Sequence, residues 1–202
     1  MTYLIATNNQ GKVKEIEPMF AKAGFSLKSL ADFRLSFEPQ EDGDTFEHNA
    51  IQKAQETLAF LQANGHTDIA VIADDSGLCI DGLGGMPGVD SANFMGRETP
   101  YELRNAHIIK QLQDTPVKTA KFVCVIACVF PCGKVITTTG EIHGHIATKP
   151  EGSGGFGYDP IFYVPEYGKT MANLTVEEKN KISHRGQGLE KMLKELKGWS
   201  KV

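Results

Sequence analysis

The feature that most constrains the fold of this chain is the apolar run Phe122–Phe130, which reads FVCVIACVF. A helix that crosses a bilayer takes about 20 apolar residues, so this run is too short for that role. Cys124, Cys128 and Cys132 recur at every fourth residue, a spacing that would place them on one face of a helix. The Val, Ile and Phe residues around them favour a buried strand instead. Without a CxxC pair or a His partner, the cysteines are also a poor zinc signature.

The rest of the chain alternates between strand and helix patterns. Predicted strands are Tyr3–Ala6, Ile69–Ala73, Thr119–Phe130, Lys134–His145 and Ile161–Val164. Four helices are predicted. The first is Lys12–Ala23, and the third is Pro100–Leu112. The second is capped by Asp44, with Glu47 as its capping-box partner, and ends near Asn64, and the fourth is a C-terminal helix capped by Ser183. The turn Pro131-Cys132-Gly133 makes one pair of strands an antiparallel hairpin. We therefore expect an α/β fold with a mixed sheet in a single domain of residues 1–202.

Composition narrows the class of protein. The chain has 202 residues, of which 41% are hydrophobic, and this suffices for a full core without disulfides or a structural metal. The 21 Lys and Arg residues against 25 Asp and Glu residues give a net charge of −4, which argues against a general nucleic-acid binder. The opening residues MTYLIATNNQGK lack the charged and apolar regions of a secretory signal. We expect a cytoplasmic protein that binds neither nucleic acid nor a membrane.

The polar segment Thr7–Lys12, TNNQGK, lies between a predicted strand and a predicted helix. Such a turn presents backbone N–H groups and the positive end of the helix dipole to an anion, and Lys12 would add a point charge. The GxxxxGK[ST] spacing of a Walker A loop is absent. A plain capped turn with a solvated Lys12 explains the same residues equally well.

Two adjacent acids, in the segment Asp74-Asp75-Ser76-Gly77, follow the predicted strand Ile69–Ala73. Side chains alternate along a strand, so both acids enter one site only if the chain bends, which Ser76-Gly77 would allow. A carboxylate at this end of a strand suits Mg²⁺, which prefers oxygen ligands and often shares them with substrate phosphates. An acidic loop offers further carboxylates at Glu38, Glu41, Asp42 and Asp44. The alternatives are a local turn for the two aspartates and a solvated surface for most of the loop.

The glycine-rich segment Gly152–Pro160 matches GxGxxG by letter. A short β run follows it instead of a helix, which is the wrong context for a dinucleotide fold. Phe156 and Tyr158, beside Asp159, offer rings on which a purine base can stack. The alternative is an aromatic pair that anchors the loop to the core.

Hydrogen-bond donors gather at Lys179 and at Ser183-His184-Arg185, before the C-terminal helix. They suit an oxo group or a phosphate. A purine 6-oxo group accepts from Lys179 or Arg185, whereas the 6-amino group of adenine would oppose one donor with another. Sites built on such bonds reject the mismatched base strongly. The alternative is that Ser183 caps the helix and the cations are solvated.

These segments, in this order, resemble the inosine triphosphate pyrophosphatase family of house-cleaning nucleotide hydrolases, and the resemblance covers nearly the whole chain. The matching segments are Thr7–Lys12, Thr45-Phe46 with Asn49-Ala50 and Lys53-Ala54, Ala73–Leu78 (ADDSGL), Leu83–Gly88 (LGGMPG), Gly154–Pro160 (GGFGYDP) and Glu177–Arg185 (EEKNKISHR). GGFGYDP together with SHR is highly specific to this family.

The resemblance implies an elongated α/β fold of two lobes, with a central mixed sheet flanked by helices, an active-site cleft between the lobes, and usually a homodimer. It implies Mg²⁺-dependent cleavage of the purine nucleotides ITP, dITP and XTP between the α and β phosphates, which yields the monophosphate and pyrophosphate. Two other functions are a pyrophosphatase for modified pyrimidine nucleotides and a catalytically silent nucleotide-binding protein. The missing SPRR-type motif argues against the first, and the presence of Asp75 and Lys12 argues against the second.

The resemblance also implies roles for individual residues. Asp75 would be the general base and would bind Mg²⁺ together with Glu41. The triphosphate would be held by Thr7, Asn9, Lys12 and Lys53, with Asn8, Gln10, Gly11 and Ser76 also at the substrate. The base would be bound by Phe156, Gly157, Tyr158, Asp159, Lys179, His184 and Arg185. Two residues depart from the family pattern: Asn8 replaces a residue that is often small, and His48 stands where Glu is common, which bears on metal affinity.

Overall fold

The strands of the protein form one mixed sheet. The computed structural model describes residues 2–199. The strands are β1 (Thr2–Ile5), β2 (Ser26–Ser29), β3 (Ile69–Ile80), β4 (Thr119–Val129), β5 (Val135–Ile146), β6 (Phe162–Val164) and β7 (Lys169–Thr170). Their order is β2-β1-β3-β4-β5-β6-β7. β1 runs parallel to β2 and β3, while β6 runs antiparallel to β5 and β7.

Helices flank this sheet. The α-helices are α1 (Gln10–Ala23), α2 (Phe46–Ala63), α3 (Tyr101–Gln111), α4 (Val176–Ile182) and α5 (His184–Trp199). The predicted α/β fold with a mixed sheet and flanking helices is thereby confirmed, and α5 begins directly after Ser183, as predicted. The elongated shape and the cleft remain predictions. Between residues 2 and 199, none of the helices has the length and apolar character needed to cross a bilayer.

The chain forms two compact units. Unit 1 comprises the residues up to Asp75, Cys124–Gly140 and the residues from Arg185 onward, whereas unit 2 comprises Ser76–Val123 and Glu141–His184. Each unit has hydrophobic clusters of its own.

Unit 1 has a core on each face of the sheet, because side chains alternate along a strand. The β4 residues divide accordingly: Cys124, Ile126 and Cys128 lie in the cluster with α1 and α5, and Val125, Ala127 and Val129 lie in the cluster with α2. The spacing of Cys124 and Cys128 therefore arises from one face of a strand, whereas Cys132 is exposed after the strand has ended, and the predicted buried strand is confirmed. α1 contributes Ile16 and Phe20 to the first cluster, and α5 contributes Leu189 and Met192.

Unit 2 has a single main cluster. Its buried side chains come from the last residues of β3, from β4 and β6, and from α3: Leu78, Ile80, Phe122, Phe162 and Ile108. Phe122 packs on Phe162 with ring centroids 4.6 Å apart. This core supports the loop that carries Phe156–Asp159.

The start of α2 differs from the prediction. Thr45, not Asp44, is the cap residue: its backbone is extended and its side chain accepts a hydrogen bond from the His48 backbone N–H at 3.1 Å. Glu47 is not a capping partner of Asp44, because its carboxylate accepts from the Thr137 hydroxyl at 2.9 Å. The acidic loop consequently reaches one residue further than expected.

The length of β3 is the larger correction. The strand does not end at Ala73 but continues to Ile80, so Asp74-Asp75-Ser76-Gly77 is extended strand and not a turn. Asp, Ser and Gly are depleted in strands, which is why this segment suggested a turn. Partners of opposite charge on both sides of the strand stabilise the two aspartates here, and these partners are distant in sequence.

Candidate active site

The turn between β1 and α1 is closed by its own side chains. Asn9 caps α1, because its Oδ1 accepts from the backbone N–H groups of Gly11 at 2.9 Å and Lys12 at 3.3 Å. The Thr7 hydroxyl accepts from the Asn9 N–H at 3.2 Å. Asn8, Asn9 and Gln10 are exposed. The turn is thus capped as in the alternative interpretation, but Lys12 is not solvated, because its ammonium lies 3.0 Å from Asp74 Oδ2. The exposed polar side chains of Asn8, Asn9 and Gln10 are available to a phosphate.

Asp74 lies in a buried cluster of charges in unit 1. Its Oδ2 is 3.0 Å from the Lys12 ammonium and accepts from Nε and Nη2 of Arg185, each at 3.2 Å. Burial alone would raise the pKa of Asp74, but the positive charges around it, foremost Lys12 and Arg185, outweigh burial and hold that pKa well below its ordinary value. Asp74 is therefore ionised at neutral pH and holds two cations.

Arg185 belongs to the same cluster. Its third nitrogen, Nη1, donates to Glu15 Oε2 at 2.6 Å, and the residue is 2% exposed. All three nitrogens of the guanidinium thus donate to carboxylates of unit 1. These contacts favour a structural role for Arg185, and its predicted contact with a base stays a prediction.

Asp75 points to the other side of β3. Its Oδ2 accepts from Asn49 Nδ2 at 2.9 Å, and its Oδ1 is 3.8 Å from the Lys53 ammonium. Burial, the largest influence, raises the pKa of Asp75 above its ordinary value, and Lys53 and Asn49 offset this only in part. A carboxyl group with a raised pKa and a cation nearby is suited to take up a proton.

The acidic loop brings a second carboxylate to the same place. Glu41 Oε1 is 2.9 Å from the Lys53 ammonium, so one ammonium group joins Glu41 and Asp75. Burial lowers the pKa of Lys53, but the negative charges of Asp75, Asp74 and Glu41 outweigh it and raise that pKa. Two carboxylates already gathered around one positive charge fit the donor set that Mg²⁺ prefers.

A divalent cation at this position would need further ligands. Over residues 2–199, no cluster of three or more His, Cys, Asp or Glu side chains is arranged to hold a metal ion. Mg²⁺ is commonly bound by one or two carboxylates and completes its shell with water and substrate phosphates. Glu41 and Asp75 are the residues that would hold it.

His48 lies close to the acidic loop. A Cβ atom placed on Gly43 would be 2.6 Å from His48 Nδ1, so the ring packs directly against the Gly43 backbone. The side chain is exposed. His48 thus packs on the loop that carries Glu41, and a larger residue at position 43 would require the His48 ring to shift.

In unit 2, the glycine-rich loop gathers three of the residues predicted to bind a base. Asp159 Oδ2 accepts from the Phe156 N–H at 2.8 Å and from the Lys179 ammonium at 2.7 Å. That ammonium lies 4.8 Å from the centre of the Phe156 ring. Phe156 is half-buried, whereas Asp159 and Lys179 are buried. The arrangement presents one aromatic ring beside a paired cation.

Tyr158 has a different position from the one predicted. It is 4% exposed, it packs edge-on against Tyr101, and its hydroxyl donates to the Ser91 carbonyl at 2.7 Å. The adjacent Gly157 carbonyl accepts from Asn105 Nδ2 at 3.2 Å. Tyr158 therefore anchors the loop to the core, as in the alternative interpretation, and is not a ring open to a base.

His184 also lies in unit 2. Its imidazole stacks on Phe122 with centroids 4.7 Å apart and planes 12° apart. The residue is buried. The ring orientation is thus fixed by an aromatic side chain.

Some residues of the site carried no signal by which sequence reasoning selected them. Asn49 and Glu15 contact Asp75 and Arg185 directly, and Asn105 and Ser91 hold the glycine-rich loop. Asn49 stands in one of the segments that resemble the family, but that resemblance gave it no role of its own. Ser76 follows Asp75 in β3 and is half-buried.

Comparison with known proteins gives consistent results. The model of the Ham1 family matches residues 3–195. A dITP/XTP pyrophosphatase of an Exiguobacterium species is 46% identical over 196 residues, which cover 97% of each chain. A dITP/XTP pyrophosphatase of Bacillus subtilis is 44% identical over 195 residues, which cover 96% of each chain. The solved structure of the Staphylococcus aureus Ham1 protein matches with a TM-score of 0.85 at 37% identity, over 98% of this chain and 99% of that one.

The fold and the site define the class of protein: an α/β protein with paired carboxylates and lysines, as enzymes use on phosphorylated substrates. A further solved structure, named nucleoside-triphosphatase / dITP/XTP pyrophosphatase from Mycobacterium abscessus, matches with a TM-score of 0.73 at 40% identity, over 96% of this chain and 99% of that one. The chain belongs to the Ham1 family. The resemblance inferred from its motifs is confirmed.

Proposed function

We propose that this enzyme hydrolyses the non-standard purine nucleotides ITP, dITP and XTP to the monophosphate and pyrophosphate in a Mg²⁺-dependent reaction. The observation that carries the proposal is the Lys53 ammonium between Glu41 and Asp75. It marks a place built for positive charge beside a carboxyl group that can accept a proton. The names of the relatives support the nucleotide class of the substrate.

The residues of unit 1 act on the triphosphate. Lys12 and Lys53 supply positive charge to the phosphates, with the exposed polar groups of Thr7–Gly11 beside them. Asp75 takes the proton of the attacking water, a role that suits its raised pKa. Glu41 and Asp75 would hold Mg²⁺, which would neutralise the phosphate charge that builds up at the transition state.

We assign selection of the base to Phe156, Lys179 and His184. The half-buried ring of Phe156 offers a stacking surface, and Lys179 offers an ammonium to a 6-oxo group. Asp159 fixes that ammonium and prevents it from turning away. His184, held by its stack on Phe122, adds a donor of fixed orientation. Arg185 acts indirectly, because it holds Asp74 and through it Lys12.

Pyrophosphate release from a panel of dITP, XTP, ITP, dUTP, GTP and ATP tests this proposal, with Mg²⁺ and with excess EDTA. We expect release from the first three at rates well above those for GTP and ATP, and none with EDTA. Release from dUTP alone would support the pyrimidine alternative instead. Binding of ITP without release would support the silent binder.

Two related expectations remain predictions. The homodimer is tested by sedimentation of the purified protein. A cytoplasmic location is tested by fractionation of the source cells.

A further inference from the structure

The acidic loop that carries Glu41 is fastened on both sides of that residue. The Gln40 backbone N–H donates to Glu56 Oε2 at 2.8 Å, and the Gly43 N–H donates to Asn49 Oδ1 at 2.8 Å. Glu41 itself lies between these two anchors and pairs with Lys53 at 2.9 Å. The loop thus has an anchor immediately before Glu41 and another two residues after it.

All three partners come from one face of α2. Asn49, Lys53 and Glu56 are spaced by four and three residues, a spacing that aligns side chains on one side of a helix. Glu56 is braced in turn, because its Oε1 accepts from Gln52 Nε2 at 3.1 Å. The loop is irregular, so its backbone donors need side-chain acceptors in place of a strand or helix ladder.

Asn49 has a second function in this arrangement. Its Oδ1 holds the loop at Gly43, while its Nδ2 donates to Asp75 Oδ2 at 2.9 Å. A single buried side chain therefore spans from the acidic loop to β3. The separation of Glu41 and Asp75 is set by α2 and not by the loop itself.

We propose that Glu56 and Asn49 are positioning residues, which fix the acidic loop so that Glu41 and Asp75 are held ready for the divalent cation. Neither touches the phosphates or the cation, and both act through Glu41 or Asp75. The inference rests on the proposed function, since it takes these two carboxylates to be the metal ligands. When supporting contacts already hold a metal-binding carboxylate in place, no free energy is spent on ordering it as the cation binds. Loss of such contacts commonly weakens metal affinity by about 10- to 100-fold.

The test compares Glu56→Ala with Glu56→Gln and with Gln55→Ala, an exposed neighbour on the same helix. The first readout is hydrogen exchange of the acidic loop, measured in metal-free protein. The second is binding of Mn²⁺ without nucleotide, followed by electron paramagnetic resonance. Glu56→Gln removes the charge but keeps an acceptor for the Gln40 N–H, so it separates long-range electrostatics from the hydrogen bond.

We expect Glu56→Ala to speed exchange in the loop and to raise the Kd for Mn²⁺ by about tenfold or more. Glu56→Gln should retain most of the protection and affinity, and Gln55→Ala should match the unsubstituted protein. Unchanged loop exchange in Glu56→Ala would overturn the proposal. So would faster exchange with unchanged Mn²⁺ affinity, or equal loss in Glu56→Gln and Glu56→Ala. Failure of the proposed function would show differently, as no pyrophosphate release from the unsubstituted protein.

Discussion

Asp74 and Asp75 are consecutive residues of β3, and their carboxylates have opposite surroundings. Asp74 binds the Lys12 ammonium and the Arg185 guanidinium, whereas Asp75 accepts a hydrogen bond from Asn49. Their pKa values move in opposite directions, that of Asp74 downward and that of Asp75 upward. The strand's alternation thus gives one aspartate a structural role and leaves its neighbour for the proposed role as general base.

Asp75→Asn should keep the fold and lower turnover by at least about 10²-fold, the smaller effect expected from loss of a general base. Because the pKa of Asp75 is higher in the folded protein, folding favours the protonated form of this residue. In metal-free protein, Asp75 therefore lowers the stability of the fold as the pH rises from its ordinary pKa through the raised one. Asn cannot ionise, and its side-chain oxygen still accepts from Asn49. Melting with EDTA at neutral pH should therefore show equal or higher stability. Turnover near that of the unsubstituted enzyme at saturating Mg²⁺ would remove Asp75 from this role.

Asp74→Asn should be destabilising by about 3–5 kcal/mol, since it removes the buried charge that pairs with Lys12 and leaves the Arg185 guanidinium with Glu15 alone. The lowered pKa means that the contribution of Asp74 is complete above its ordinary value of 3.8 and is lost as the pH falls below it. Urea unfolding between pH 3 and pH 7 measures this. The difference in free energy of unfolding between the unsubstituted protein and Asp74→Asn should be constant near pH 7 and should become smaller toward pH 3. A gap that widens on acidification would contradict this assignment.

Glu41→Gln should raise the Mg²⁺ concentration for half-maximal activity by about tenfold or more. The Glu41 side chain is 40% exposed, and exposed ion pairs contribute little to stability, so melting without metal should hardly change. Glu38→Gln, in the same loop, is the matched charge control. An unchanged Mg²⁺ titration would mean that the loop carries no metal ligand.

Lys179→Gln should lower kcat/KM for ITP by about 10- to 150-fold, since a hydrogen bond to a charged group is worth about 1.5–3 kcal/mol. The effect on ATP should be smaller, because ATP has no 6-oxo acceptor. The ratio of the two kcat/KM values is the readout. Equal losses on both nucleotides would assign Lys179 to the phosphates. Arg185 does not serve this test, because its removal disrupts the buried pairs with Glu15 and Asp74.

Gly155→Ala should impair the loop that presents Phe156. Gly155 has a φ of +70°, and a Cβ there would meet Asp159 Oδ2, the atom that holds Lys179. Gly168→Ala is a matched control, with a φ of +63° and only the Tyr163 hydroxyl nearby at 3.8 Å. Both should lose about 1–2 kcal/mol from the backbone conformation. Only Gly155→Ala should also raise KM for ITP. Equal KM values for Gly155→Ala and Gly168→Ala would show that the loop tolerates the displacement of Asp159.

Much of the fold was predictable because its periodicity is local. The buried run in β4, the helices and the hairpin signal all depend on neighbouring residues. The extension of β3 was not predictable, because what stabilises Asp74 in a strand is Arg185, 111 residues away. No local pattern encodes such a pair.

The site divides in the same way. Asp75, Glu41 and Lys53 were selected from motifs, and the structure brings them together. Tyr158 and Arg185 were selected by the same motifs, but their side chains serve the core and the buried ion pairs. The sequence shows the same residue type whether an aromatic ring or a guanidinium in a motif binds substrate or stabilises the fold. Only its partners distinguish the two.

The discontinuity of unit 1 has a consequence for synthesis on the ribosome. One cluster of that unit joins Tyr3 of β1 to Leu189, Met192 and Leu196 of α5. The strands made first therefore stay without part of their apolar cover until nearly the whole chain has been translated. At about 5–20 residues per second, that delay lasts on the order of ten seconds or more. A nascent chain stalled before α5 should accordingly be a strong client for chaperones, whereas a chain released after α5 should not.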